Sequence, residues 1–172
     1  MRMKIWLTAA IIIASGFGVG GTAQAAAPYC GITWGSGGKS AGALTQAQLL
    51  TVRTGRHDCY DRVVFEFEGA ASGYRTAYGE AYTQGTGLPL SPYTAGGAVI
   101  QVVLLEPASY ATGRHVATVV PYRTLRDVVA GGTAEGYTTF AIGVRARLPY
   151  RVFTLNGPGT HSRIVVDVAH QW

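Results

Sequence analysis

Charged residues, and lysines in particular, are scarce in this sequence. Only 13% of its 172 residues are charged, and only two of them, Lys4 and Lys39, are lysines. No segment is dense enough in basic residues to follow a nucleic-acid backbone, so we do not expect nucleic acid as a partner. The spacings HxxH, HxH and HExxH are absent and the four histidines stand apart, so we expect no metal site.

The motifs of common enzymes are also missing. There is no Gly-x-Ser-x-Gly nucleophile elbow. Gly37-Gly38-Lys39-Ser40 is similar to the end of a phosphate-binding loop, but Thr33 stands where that loop needs its first glycine, so we expect no cofactor. Paired carboxylates for glycoside hydrolysis stay open, because such pairs converge only in space. The acids available for that chemistry are Glu66, Glu68, Glu80 and Asp167.

Residues 1–25 have the pattern of a signal peptide. Arg2 and Lys4 give a positive start, residues 5–22 carry no charge, and Ala23-Gln24-Ala25 offers the small residues that signal peptidase reads. We expect cleavage after Ala25, with Ala27 as the alternative, and no stable membrane insertion afterwards. The protein would then be secreted and extracellular, and association with the cell wall is open.

The two cysteines of an exported chain favour a disulfide, so we expect Cys30 to pair with Cys59. A bridge over a loop of this size stabilises the fold by about 3–4 kcal/mol in the chain-entropy model. It would tie residues 26–43, a Gly- and Ser-rich arm with Trp34 as its large anchor, to the domain that follows. A nucleophilic or metal-binding thiol is the alternative.

One seven-residue pattern occurs twice. Asp61–Phe67 and Ser162–Val168 both read polar, Arg, three β-forming residues, acid, β-forming residue. The alternation is typical of a strand with one buried face. Two such units suggest two sheets whose halves echo each other, and chance recurrence is the alternative. The residues expected to point inward are Val63, Phe65 and Phe67 in the first copy and Ile164, Val166 and Val168 in the second.

Short apolar runs separated by turn residues continue along the chain. We therefore predict an all-β fold over residues 44–172, a two-sheet β-sandwich of about eight or nine short strands with internal pseudo-symmetry. Residues 54–58, 131–132 and 156–159 are predicted turns, and residues 122–129 fit a helix or a strand, of which we favour the strand. The other predicted strands are 44–52, 60–68, 74–84, 99–105, 116–120, 138–145, 151–155 and the second copy of the repeated pattern.

The segment from Arg53 to Arg62 is the first candidate for ligand binding. It concentrates arginines, a histidine, acids and a half-cystine in ten residues. A loop fixed by a disulfide can present guanidinium groups to an anionic ligand at low entropic cost. The alternative is a structural corner in which an arginine pairs with Asp58 or Asp61. The candidate residues are Arg53, Arg56, His57 and Arg62.

A row of tyrosines is the second candidate. Tyr74, Tyr78 and Tyr82 would lie on one side of a strand, opposite the small residues Ala77, Gly79 and Ala81. Flat aromatic faces stack on sugars and other partners. An ordinary core face is the alternative.

These residues resemble the AMIN-like domain proteins of actinobacteria, relatives of the AMIN module of cell-wall amidases. The resemblance implies a non-catalytic β-sandwich, not an enzyme, whose partner is peptidoglycan or another cell-wall polymer. Docking to a wall-associated protein such as a wall enzyme is the alternative, and an uncharacterised hydrolase is a remote one. The segments that carry the resemblance are 52–65, 136–145, 151–155 and 163–168.

Overall fold

The computed structural model describes residues 28–117, 119 and 122–172, and this part of the chain is almost entirely β. The predicted signal peptide and its predicted cleavage site lie outside the described residues. Ser91–Tyr93 forms one turn of 3-10 helix. The strands are β1 (Lys39–Ala41), β2 (Gln48–Arg56), β3 (Tyr60–Glu68), β4 (Tyr74–Tyr78), β5 (Ala98–Leu104), β6 (Leu125–Ala134), β7 (Tyr137–Val144), β8 (Tyr150–Asn156) and β9 (His161–Ala169).

The strands form two antiparallel sheets, which confirms the predicted two-sheet fold. One sheet has five strands in the order β1-β4-β5-β7-β6, and the other has four in the order β2-β3-β9-β8. The core lies between them, where the ring of Phe65 from β3 packs 5.0 Å from that of Phe140 from β7. Each such buried side chain contributes about 1.5–3 kcal/mol. All six predicted inward residues of the repeated pattern are buried.

The two copies of the repeated pattern are neighbouring strands of one sheet, not members of separate layers. β3 and β9 pair antiparallel with Val64 opposite Val165. The antiparallel register sets the arginine of each copy opposite the acid of the other, Arg62 against Asp167 and Arg163 against Glu66. The two copies of the repeated pattern therefore pair with each other inside one sheet, and each arginine faces an acid of the other copy.

The outer face of the five-stranded sheet is partly covered by residues 79–96, which join β4 to β5. Leu90 from this segment is fully buried together with Ala81, Val129 and Ala141. A Cβ on Gly143 would stand 1.9 Å from the carbonyl oxygen of Ala95. Small residues are therefore required here, because the covering backbone lies directly on the sheet.

One predicted turn is shorter than expected, and another is wrong. Thr54–Arg56 continues β2 and pairs with residues 61–63 of β3, so the turn contains only residues 57–59. Gly131 and Gly132 lie inside β6, where the register shifts between Ala130 and Thr133. Glycine suits such a bulge, because Gly132 has φ +80°.

Two other segments differ from their predicted state. The arm at residues 26–43 is not wholly irregular, since β1 pairs with β4 at the sheet edge. The predicted strand at 116–120 is wrong for its described residues, which do not form a strand. The Val116 N–H donates a hydrogen bond to the Val128 carbonyl oxygen at 2.9 Å. Thr118 and Val120 lie outside the described part of the chain. The predicted strand at 122–129 is confirmed from Leu125 onward.

Candidate functional site

The outer face of the four-stranded sheet carries two arginines on one buried carboxylate. Asp167 is fully buried, whereas the side chains of Arg62 and Arg151 are 21% and 32% exposed. Arg62 donates from Nε to Oδ1 at 2.6 Å and from Nη2 to Oδ2 at 2.9 Å. Arg151 donates from Nε to Oδ2 at 2.9 Å. This hydrogen bonding raises the pKa of Arg62 above its ordinary value. The cluster keeps one excess positive charge.

Aromatic rings hold the two guanidinium groups in place. The Arg151 guanidinium carbon lies 5.4 Å from the ring centroid of Trp34, 5.4 Å from that of Tyr60 and 5.0 Å from that of Phe153. Arg62 lies 5.2 Å from Tyr60 and 5.5 Å from Phe153. Both cations therefore have cation–π partners and fixed orientations.

A second cationic group continues this surface around the end of β2. The His57 ring stacks on Tyr60 with 4.5 Å between centroids. Arg56, His57, Asp58 and Arg123 line a depression of about 240 Å³. Within the described part of the chain, neither Arg56 nor Arg123 forms an ion pair. We call the whole region the arginine–aromatic surface. Its members are Trp34, Arg56, His57, Tyr60, Arg62, Arg123, Arg151 and Phe153.

The predicted disulfide between Cys30 and Cys59 is confirmed, and it brings the N-terminal arm to this surface. Cys59 directly precedes Tyr60, and the Trp34 ring lies 5.9 Å from that of Tyr60. The indole of Trp34 also donates to the Tyr29 carbonyl oxygen at 2.9 Å. A ring that is distant along the chain is thereby fixed beside Arg151.

Hydrogen bonds of the buried Asp61 and of His170 hold the turn at residues 57–59 in place. Asp61 Oδ2 accepts from the backbone N–H of Thr124 at 2.6 Å and of Leu125 at 2.9 Å. The ring nitrogens of His170 lie 3.0 Å from Asp61 Oδ1 and 3.1 Å from the Asp58 carbonyl oxygen. Asp61 therefore has a structural role and does not pair with Arg62. The acid that pairs with Arg62 is Asp167.

The predicted arginine site is only partly assembled. His57 stacks on Tyr60 beside Arg62. Arg56 lines the depression next to His57, but it stands opposite Asp61 and therefore points to the sheet face opposite the one that carries Arg62. Arg53 lies apart and pairs with Glu66. Glu66 also contacts the His161 ring, 3.0 Å from its Nδ1, and these contacts lower the pKa of Glu66.

The predicted tyrosine row is not formed. β4 ends at Tyr78, after which Gly79, at φ +152°, turns the chain across the outer face. Tyr74 and Tyr78 face inward and donate to carbonyl oxygens, that of Val152 at 3.2 Å and that of Leu148 at 2.6 Å. Burial raises the pKa of Tyr78 to about 12. Tyr82 is exposed on the covering segment, and the binding role of the three tyrosines stays a prediction.

Sequence reasoning missed five members of the surface: Trp34, Tyr60, Arg123, Arg151 and Phe153. A signal existed for two of them. Arg151 and Phe153 alternate with Val152 and therefore share one strand face. Because β8 pairs with β9, Arg151 stands opposite Asp167.

The described residues contain no helix with the length and apolar character that a membrane crossing requires. Nor do they bring three or more His, Cys, Asp or Glu side chains together in a group that could hold a metal ion.

Comparison with known proteins identifies the family. None of the curated proteins matches the chain. The sequence model of the AMIN-like domain family matches residues 47–170, more than two thirds of the chain. Domains of this family are generally non-catalytic modules with a cell-wall-related role, and the disulfide fits a secreted protein. The chain belongs to the AMIN-like domain family.

Proposed function

We propose that this protein is a secreted, non-catalytic module of the cell envelope that binds an anionic wall polymer, such as peptidoglycan, through the arginine–aromatic surface. The observation that carries the proposal is the pair of guanidinium groups on Asp167, held among three rings. One of these rings, Tyr60, stacks on His57, which lines a depression with Arg56 and Arg123. Neither of these two arginines has an ion-pair partner among the described residues.

Charge favours an anionic ligand at this surface. Asp167 balances only one of its two arginines, and Asp58 is the single acid that lines the neighbouring depression. Guanidinium groups bind carboxylates and phosphates through paired hydrogen bonds. A ligand with repeated carboxylate or phosphate groups would meet several of these cations together.

Rigidity favours binding over chemistry. Arg62 and Arg151 are held by hydrogen bonds and ring contacts before any ligand arrives, so little side-chain entropy is lost on binding. Asp167 already accepts hydrogen bonds from both arginines on its two oxygens. Such a carboxylate suits the positioning of cations better than proton transfer.

Sedimentation of the purified, exported protein with insoluble cell wall stripped of protein tests the proposal. We expect Arg56→Ala/Arg123→Ala to lower the affinity at least about tenfold, because each lost hydrogen bond to a charged group costs about 1.5–3 kcal/mol and about 1.4 kcal/mol corresponds to a factor of ten. Added salt should weaken wild-type binding. The matched control is Arg75→Ala/Arg114→Ala, which removes the same charge from exposed positions elsewhere. Equal sedimentation of both double variants, each with wild-type thermal stability, would refute the assignment.

Docking to a wall-associated protein is the second candidate. The segment that covers the five-stranded sheet exposes Tyr82, Leu88 and Tyr93, at 48%, 61% and 59%. Exposed apolar groups of this kind favour protein contacts. The second candidate predicts sedimentation only with wall that retains its proteins, and loss of that sedimentation in Tyr82→Ser/Leu88→Ser/Tyr93→Ser.

A further inference from the structure

A cleft of about 550 Å³ lies at the end of the sandwich opposite the arginine–aromatic surface. One wall is the start of β2, and the other is the loop after β5 together with the end of β6. We propose that this cleft is a second binding site, and that it takes an uncharged saccharide. Its polar and ring-bearing lining residues are Gln46, Gln48, Ser109, Tyr110 and Thr133.

The polarity of the lining indicates an uncharged, hydroxyl-rich ligand. Among the described residues that line the cleft, none is charged. Gln46 and Gln48 are exposed, and an amide side chain offers both donors and an acceptor. A hydroxyl group is likewise donor and acceptor, so sugar hydroxyls match these amides. The lining itself offers a charged ligand no counter-charge, and Glu68, which stands opposite Gln48, disfavours an anion.

Apolar groups beside the amides suit the C–H face of a sugar ring. The Tyr110 ring packs edge-on against the buried Phe140 with 5.8 Å between centroids. Leu50 is 43% exposed at the rim. Aromatic residues with a flat apolar body and a polar tip are common where one side of a ligand is apolar and the other is wet.

Hydrogen bonds hold the two walls together before any ligand binds. The Thr45 hydroxyl donates to the carboxyl group of the buried Glu106, and the Thr45 N–H donates to the Leu105 carbonyl oxygen at 3.0 Å. Within the second wall, the Thr133 hydroxyl donates to the Ala108 carbonyl oxygen at 2.6 Å, which fixes the loop to the end of β6. Burial raises the pKa of Glu106. The cleft is therefore preformed, and its volume lies within the range of about 300–1,000 Å³ common to small-molecule sites.

The cleft shares no residue with the arginine–aromatic surface. Gln48 begins β2 opposite Glu68, whereas Arg56 ends it opposite Asp61. At about 3.3 Å per residue, the two positions are roughly 25 Å apart. The inference therefore goes beyond the proposed function and stands or falls separately.

A nuclear magnetic resonance titration with neutral oligosaccharides tests the inference. The probes are tetra-N-acetylchitotetraose and maltotetraose, added to the ¹⁵N-labelled, exported protein. We expect at least one to give saturable shifts of the Gln46 and Gln48 side-chain amide signals and of the Tyr110 backbone amide. The Gln101 side-chain amide, on the outer face of the five-stranded sheet, is the matched internal control and should stay unmoved.

Variants then locate the binding. Gln46→Ala/Gln48→Ala should weaken affinity about tenfold, because each hydrogen bond contributes about 0.5–1.5 kcal/mol. Both residues are exposed, so the fold should be kept, as an unchanged thermal midpoint would verify. Arg56→Ala/Arg123→Ala should bind the neutral probe like the wild type. The inference is overturned if neither saccharide gives saturable shifts, if the glutamine variant binds normally, or if only the arginine variant loses binding.

Discussion

The outer faces of the two sheets differ in what their side chains can do. On the β6–β7 part of the five-stranded sheet the outward residues include Val129, Ala141 and Gly143, and the covering segment lies on them. On the four-stranded sheet the outward residues include long cationic and aromatic side chains such as Arg62, Arg151 and Phe153, and Arg53 is 57% exposed. Small residues thus mark a face that the protein covers with its own backbone. Long polar ones mark a face left available to a ligand.

Removing the disulfide should have the largest effect on this contrast. Cys30→Ser/Cys59→Ser opens a bridge with a sequence separation of 29, which costs about 3–4 kcal/mol of unfolding free energy in the chain-entropy model. It should also loosen the arm around Trp34, which the hydrogen bond between Gly35 and Tyr150 still holds near Arg151, and so weaken wall binding. Denaturant unfolding and wall sedimentation measure the two effects. Trp34→Ala with the bridge intact is the control, because it removes the ring alone; a double serine variant as stable as the wild type would contradict the prediction.

Replacing Asp167, the acid under the two arginines on the outer face of the four-stranded sheet, should have the second largest effect on stability. Asp167→Asn leaves two cations around a buried neutral amide, and breaking a buried pair costs about 3–5 kcal/mol. We expect the lower end of that range, since both arginines are partly exposed. Glu68→Gln, on the same face but half exposed, is the matched control and should change the free energy of unfolding by less than about 1 kcal/mol. A loss no larger than the control's would show that Asp167 does not organise the face.

Adding one methyl group to the covered face should cost less. Gly143→Ala places a Cβ 1.9 Å from the Ala95 carbonyl oxygen, and overpacking of this kind costs about 1–3 kcal/mol. The same change at Gly37, where nothing lies within 4 Å of the new Cβ, should leave the free energy of unfolding nearly unchanged. If both variants unfold alike, the covering segment does not lie on the sheet as described.

Protonation of Glu66, on the outer face of the four-stranded sheet, should have the smallest effect on the free energy of unfolding. The pKa of Glu66 is lowered by hydrogen bonds from His161 and Arg53. Because its folded pKa lies below the unfolded one, its stabilisation is present above the unfolded pKa, about 4.3, and is lost as the pH falls through the folded value. Glu66→Gln should therefore cost about 0.5 kcal/mol at pH 7, and the difference in unfolding free energy from the wild type should shrink as the pH falls below about 4.3. A difference that stays the same as the pH falls would assign the loss to something other than charge.

Local pattern predicted much of the fold. The alternation of β3 and β9 gave their buried faces, and the cysteine count gave the disulfide. The partner of each strand did not follow from local pattern. β3 and β9 lie about a hundred residues apart along the chain, and their pairing depends on tertiary register.

The site was less predictable for the same reason. Arg56, His57 and Arg62 were found because they are close in sequence. Arg151 joins Arg62 through the shared Asp167 and the shared rings of Tyr60 and Phe153. Trp34 joins them through the disulfide of the arm and through the hydrogen bond between Gly35 and Tyr150. Which face of the strand carrying Tyr74 and Tyr78 is covered could not be predicted, because alternation alone does not say which of two strand faces packs into the core.

Mapping soluble, protein-free wall fragments onto the ¹⁵N-labelled protein by nuclear magnetic resonance tests the central claim most directly. The account predicts saturable shifts at the Trp34 indole N–H and at the backbone amides of Arg56 and Tyr60, with the amides of Val129 and Ala141 unmoved. Shifts confined to residues 79–96, with the Trp34 indole signal unchanged, would contradict it.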